Sequence, residues 1–490
     1  MWVTAFNEHS KSNIPEVMDI EYLFQGKLDN TVHEITYEQI EELLRDNKSE
    51  EAEGRRITES SNCGESFYNG INDNLAFYKE YLYRDPKTAG YRTYYPHGVV
   101  IEQSMRRNYY RGENRIYPES LPTLLRNLKQ YKTVQEKELY RMVADMRIAE
   151  FMAFLNKFDH VKNWKYCDVI YEVLAQHYGL ETGWLDITND FKVALFFATC
   201  YWKDGSWHPL TQEMINGEYK YGMIFHMPSN RVPMRWSTAL EVFSPWTSEV
   251  IGQNERGENI VKRKELPSVC REPGVIYPLG FQPFMRCHMQ SGYGMYMREP
   301  YPLQQDVEFE KLKFKQSVEF SQRVFKMMDG GKKIYPHEGL AQAQFIIDEI
   351  RRLTTFSTEA FEYALYRNHY YRIADREKCL AELQEFVVNG ECIEIVENHP
   401  WKLSSGRKKR IDALYNGFSL EENYGIMLHE RKQIPGPSPM YEPWMLRSVE
   451  DEPGTIDFKL RENIECGDSI MSRNMIGLLA TLIEARLQDF

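Results

Sequence analysis

Apolar residues recur at mostly helical spacing through Leu139, Met142, Val143, Met146, Ile148, Phe151 and Leu155, which predicts a long helix running to about Lys157. Its start is marked by Thr133-Val134-Gln135-Glu136, where a threonine and a glutamate three residues apart can each bond the other's backbone N–H. Thr36-Tyr37-Glu38-Gln39 has the same spacing, and Ile35 can close on Ile40 as a hydrophobic staple, so a second helix is expected from Tyr37 to about Asp46. The periodicity then fails across Asn47–Cys63, which predicts a loop or linker. Ser120-Leu121-Pro122 can open a helix through Leu128. Cys167–Tyr178 continues the pattern with Val169, Ile170, Val173 and Leu174 inward, and Gly179 stands where a left-handed residue ends a helix.

Strand-like runs alternate with these helices. Asn108–Gly112, Trp184–Thr188, Lys220–Met227 and Val275–Leu279 are short and β-compatible, and Gln282–Met297 suggests strand, turn, strand, with Gly292 and Gly294 admitting close backbone approach. Thr188 or Asn189 can cap a buried helix over Phe191–Tyr201. Further on, Leu340–Leu353, Thr358–Tyr366 and Arg376–Phe386 predict a helical region, and Ser472–Leu487 a terminal helix. The expected fold class is therefore α+β. Three segments follow from the changes in pattern: an N-terminal α+β region over residues 1–105, a mixed central domain over 106–300, and a mainly helical region over 301–490 with a Pro-rich connector near 432–443.

Composition narrows the function classes. At 490 residues, with 42% hydrophobic and 27% charged, the chain has the make-up of a folded multidomain protein. A net charge of −12 gives no general attraction to phosphate backbones, so nucleic-acid contact would need a local basic cluster, such as Arg106, Arg107, Arg111 and Arg115 or Arg407–Arg410. The eight cysteines form no CxxC pair, which disfavours a zinc ribbon and a disulfide scaffold and suits a reducing cytoplasm. No signal-like start and no membrane span are read, and no metal site is expected. A P-loop, HExxH, GxSxG and Rossmann fingerprint are all absent from the sequence.

The chemistry-bearing residues concentrate in three stretches. Arg111 offers a planar fork matched to phosphate or carboxylate, and Gly112 beside it leaves backbone open; the same arginine could equally make a structural salt bridge, for instance to Asp186. His177 and Tyr178 close a helix, where a histidine can cap free carbonyls or face a crevice as a group that titrates near neutrality. Asp186 lies in an otherwise apolar strand and must be paired or hydrogen-bonded, whether for structure or for catalysis. Gln290 can donate and accept but cannot act as a base, and it can also simply bond loop backbone.

Tyr110-Arg111-Gly112, the block Tyr171–Thr199, and Arg286 with Gln290-Ser291-Gly292 together resemble the FRG domain, a bacterial module named for an aromatic–Arg–Gly tripeptide. The resemblance spans roughly residues 106 to 299. It departs from the family pattern at Glu181-Thr182-Gly183-Trp184, where a basic residue is missing. The order of motifs is similar, more distantly, to that of ADP-ribosyltransferases. What this implies is NAD as substrate, with Tyr110, Arg111, Gly112, Tyr178 and Arg286 binding it and Asp186, Gln290 and His177 in the catalytic roles. The implied protein is a cytoplasmic toxin or phage-defence effector that modifies a protein or nucleic-acid acceptor. Hydrolysis of NAD or of a phosphodiester, and a non-catalytic module binding a nucleotide or protein, remain open beside it. Glutamine at position 290 stands where many transferases carry glutamate, so the charge would have to come from Asp186.

Overall fold

The structure is a computed structural model that describes residues 30–60, 65–67, 78–81, 91–95, 98–102, 108–164, 169–228, 246–253, 259–265, 275–297, 299–336, 339–368, 370–371 and 375–415. The Pro-rich connector and the terminal helix expected over Ser472–Leu487 lie outside these residues. The α+β class holds: a mixed seven-stranded sheet is combined with helices along its length.

The sheet contains β1 (Val32–Glu34), β2 (Asn108–Glu113), β3 (Trp184–Thr188), β4 (Tyr221–Pro228), β5 (Val275–Pro278), β6 (Gly292–Tyr296) and β7 (Glu310–Lys315), in the spatial order β1-β7-β4-β2-β3-β6-β5. Only β1 and β7 pair in parallel; every other neighbouring pair is antiparallel. It draws strands from all three of the segments suggested by the sequence, since β1 and β7 flank the central run.

Six helices bear on the site: α1 (Tyr37–Ser60), α2 (Val134–Leu155), α3 (Tyr171–His177), α4 (Phe191–Thr199), α5 (Met285–Met289) and α6 (Thr358–Arg367). Both capping boxes form. Thr133 Oγ1 accepts from Glu136 N at 3.1 Å while Glu136 accepts from Thr133 N at 2.8 Å, and Thr36 and Gln39 exchange the same pair of bonds. Gly179 takes φ +90° behind α3, as its place in the sequence requires.

Several boundaries differ from expectation. Helix α1 does not stop at Asp46 but continues to Ser60, because residues 47–60 are rich in Glu, Lys and Arg, straight-chain residues that sustain a helix without an apolar stripe. Helix α3 begins at Tyr171 rather than Cys167, with residues 165–168 outside those described. Asp190, not Thr188 or Asn189, caps α4 by accepting from Lys192 N at 2.9 Å, and the chain leaves that helix at Thr199 to enter a hairpin of Cys200–Lys203 and Ser206–Pro209. The first half of Gln282–Met297 is helix α5, not strand.

Pleating divides the central strands into two faces. Gly112 lies opposite Ile224 and Arg111 opposite Phe225, while Tyr110 pairs with Thr188, Gly292 with Thr188 and Gly294 with Asp186. Tyr110, Gly112, Asp186, Thr188, Gly292 and Gly294 therefore share one face, and Tyr109, Arg111, Ile187 and Tyr293 share the other. Ring contacts agree: Tyr110 meets Phe191 of α4 at 5.0 Å on the first face, and Tyr109 meets Tyr293 at 4.9 Å on the second.

The described residues after position 300 are locked to this body by buried polar groups. Glu150 of α2, fully buried, accepts from Ser357 N at 2.7 Å, pairs with His399 Nδ1 at 2.7 Å, and accepts from Trp401 Nε1 at 2.8 Å. Burial opposes its ionisation, yet the bonds from His399 and Ser357 outweigh it and hold the carboxyl below its usual range. Arg367 of α6 pairs with buried Glu172 of α3, whose other oxygen accepts from Trp184 Nε1 at 2.7 Å. A helix distant in sequence thus braces both α3 and β3.

Candidate functional site

The end of α3, the middle of β3, α5 and the turn after it bring four polar side chains together. His177 Nε2 lies 3.8 Å from Asp186 Oδ1, and the same nitrogen stands 3.6 Å from where a Cβ on Gly292 would be, so glycine there leaves room for the imidazole. Burial pushes His177 below its ordinary pKa, the Asp186 carboxylate works the other way, and Arg286 adds to the lowering. The ring is accordingly neutral at pH 7. Asp186 reaches solvent, its side chain 39% exposed against 3% for His177.

Arg286 is buried, with its Cζ 4.2 Å from the Tyr178 ring centre and 3.8 Å from that of Tyr335, and its Nη1 donates to His177 O at 2.5 Å. Tyr178 itself is buried and serves as the floor under this guanidinium. Gln290 works as a bracket: its backbone O accepts from Thr188 Oγ1 at 2.8 Å and its Nε2 donates to Ile334 O at 3.1 Å, fixing the segment that carries Tyr335. Its side chain also stands beside His177. Three buried polar atoms here, His177 Nε2, Asp186 Oδ1 and Arg286 Nε, have no hydrogen-bond partner among the described residues. Unmatched buried polar atoms are costly, and their gathering in one place is what a polar ligand would relieve.

The tripeptide stands apart from this cluster. Arg111 lies on the opposite sheet face from the Asp186 carboxylate, its Nε paired with Glu113 at 3.0 Å and its Nη1 donating to the backbone O of Asp186 at 2.8 Å. The expected link between Arg111 and Asp186 exists, but to backbone rather than carboxylate. A Cβ on Gly112 would sit 1.7 Å from Ala194 O of α4, so that glycine makes room for a helix, not for a ligand. Tyr110 is buried against α4 and stacks on His226 at 5.2 Å. Gly294 likewise accommodates the Trp184 ring, 2.5 Å from its missing Cβ.

Three contributors were not evident from the sequence. Tyr335 arrives from 45 positions beyond Gln290, past Gly330-Gly331, a pair that reads only as punctuation. Asn189 is fully buried and turns the chain from β3 to α4. Asn47 of α1 donates to Asn189 O at 3.0 Å and accepts from Phe191 N at 3.1 Å, securing that turn from outside. Among the described residues, no group of three or more His, Cys, Asp or Glu stands close enough to hold a metal ion, and no helix is long and apolar enough to cross a membrane.

Residues 106–206 match the family model of the FRG domain, a stretch that contains Tyr110-Arg111-Gly112, α3 and β3. No curated protein and no solved structure matches the chain. Arg286, Gln290 and Tyr335 lie beyond the matched stretch, so their membership of the site rests on geometry.

Proposed function

We propose that this FRG-domain chain binds a nucleotide, with its phosphate held at Arg286 and its reactive part beside Asp186 and His177. The observation that carries the reading is the convergence of buried polar atoms without partners around a guanidinium already aligned by two tyrosine rings. A preset guanidinium loses less freedom on meeting a phosphate than a mobile one does. The dinucleotide clasp implied by ADP-ribosyltransferases, with Arg111 on the phosphates, does not fit, because Arg111 faces away from the cluster and is held by Glu113.

Within this reading the partly exposed Asp186 carboxylate suits cleavage of the ribose–nicotinamide bond of NAD. As that C–N bond breaks, its electron pair leaves with nicotinamide, and a fixed carboxylate stabilises the positive charge on the ribose. Water or a macromolecular acceptor then bonds to the ribose carbon and gives up a proton, which the neutral His177 ring can accept. With a macromolecular acceptor the protein is an ADP-ribosyltransferase-like toxin or defence effector; with water it is an NAD hydrolase. Binding without turnover is the second reading, favoured by His177 being almost wholly shielded from solvent.

Calorimetry with NAD, ADP-ribose and AMP, and chromatography for released nicotinamide, test this on the full chain. Arg286→Gln is expected to abolish binding, Asp186→Asn to retain binding but stop nicotinamide release, and Arg111→Ala to leave binding intact in whatever protein folds. Release that survives Asp186→Asn would overturn the catalytic reading. Failure of the wild type to bind all three ligands would overturn the site itself.

A further inference from the structure

The hairpin that follows α4 carries an aromatic surface joined to the site through a single ring. Trp202 is 46% exposed, and its ring centre lies 4.9 Å from that of Tyr335. Tyr335 in turn covers the Arg286 guanidinium at 3.8 Å. Trp207, directly across the hairpin, supports Trp202 edge-on at 5.3 Å and is itself packed against Phe196 and Phe197 of α4 at 5.2 and 5.4 Å. Gly331, at φ +90°, brings the Tyr335 segment down onto Trp207, for a Cβ there would meet the indole at 2.8 Å.

From this continuity of rings we infer that Trp202 is the stacking surface for the nucleobase of the ligand whose phosphate Arg286 receives. The inference rests on the nucleotide reading above and deepens it by naming the subsite for the base. Three features favour a flat, π-bearing ligand. The indole is held by an edge-on contact with Trp207 and a tilted one with Tyr335, so stacking on it orders little that is not already ordered. One ring, Tyr335, touches both the proposed base platform and the proposed phosphate group, which keeps the two within reach of one small molecule. The hairpin is anchored at both ends in buried structure: Ser321 Oγ donates to Thr199 O at 2.6 Å and accepts from Leu210 N at 2.8 Å. Stacking accepts any base, since each presents a π face, so the subsite selects for the presence of a base more than for its identity.

The test compares AMP with ribose 5-phosphate, which lacks the base, on the full chain and on Trp202→Ala and Trp202→Phe, with affinities from calorimetry and indole fluorescence followed in parallel. Trp202 is exposed at a hairpin, so both variants are expected to fold. The expected result is that the wild type binds AMP about tenfold or more tightly than ribose 5-phosphate. Trp202→Ala brings the ratio close to one without altering the affinity for ribose 5-phosphate, and Trp202→Phe restores most of it. AMP should also quench fluorescence less in Trp202→Ala than in the wild type. A ratio that survives Trp202→Ala overturns the base subsite and leaves the phosphate reading standing. Loss of wild-type binding to both ligands overturns the phosphate reading and the subsite with it.

Discussion

Replacing Gly112 with alanine separates two roles for the family tripeptide. The added carbon would lie 1.7 Å from Ala194 O, 2.6 Å from Ala194 C and 3.0 Å from Ala198 N, which puts it inside the helical hydrogen bond between those two residues. No side chain can swing aside, because all three obstacles are backbone. Ordinary contact requires α4 to move by roughly 1.5 Å or the strand to bend, and overpacking of this kind costs about 1–3 kcal/mol when side chains can adjust. With rigid helix in the way, a loss of about 3 kcal/mol or more is expected, a large part of the ~5–15 kcal/mol that holds a typical domain folded. Urea denaturation followed by circular dichroism measures it, and the midpoint should fall with little change in slope. A variant with the wild-type midpoint that fails only to bind nucleotide would refute the packing role and return Gly112 to the ligand.

Arg367→Met should destabilise the fold by about 3–5 kcal/mol, because it leaves Glu172 as a buried carboxylate without its cation. Adding Glu172→Gln should recover part of that loss, and a double variant less stable than either single one would contradict a buried ion pair. Stability should also fall as pH is lowered from 7.5 to 5. Burial lowers the pKa of His177 and His160, and takes that of His288 to about 3, so below ~6.5 the unfolded chain binds protons that the folded chain refuses. This contribution is fully present above that value and is lost as pH drops toward the folded pKa values. Urea midpoints across the range read it, and His288→Phe should flatten the decline; a midpoint independent of pH would show these rings to be solvated.

How far the sequence carries depends on the range of the interaction involved. Both capping boxes and the Gly179 terminus were legible, because each is settled within four residues. Helix α5 was not, since five residues are too few to separate a period of 3.6 from one of 2, and Met285–Met289 offers apolar side chains to either. The extension of α1 was missed for the opposite reason: residues 47–60 have helix-forming composition and no apolar stripe to announce it. The structure brings His177, Asp186, Arg286 and Gln290 together, four of the residues singled out from the sequence, and leaves Arg111, which was grouped with them, on the other face of the sheet. Alternation alone sets Arg111 apart from Tyr110 and Gly112, but which of those faces meets Asp186 depends on the pairing of Tyr110 with Thr188, a register fixed by contacts 78 positions apart. Tyr335 and Trp202 belong to the same class of information. Their approach to Arg286 is set by Gln290 holding Ile334 and by Gly331 seating on Trp207, neither of which leaves a local signature.

A crystal structure of the chain soaked with NAD puts the central claim to its sharpest test, since the two candidate arginines lie on opposite faces of one sheet. Phosphate density within hydrogen-bonding distance of Arg286, with the ribose beside Asp186, is the expected result. Phosphate bound at Arg111, with His177 and Asp186 left untouched, would contradict it.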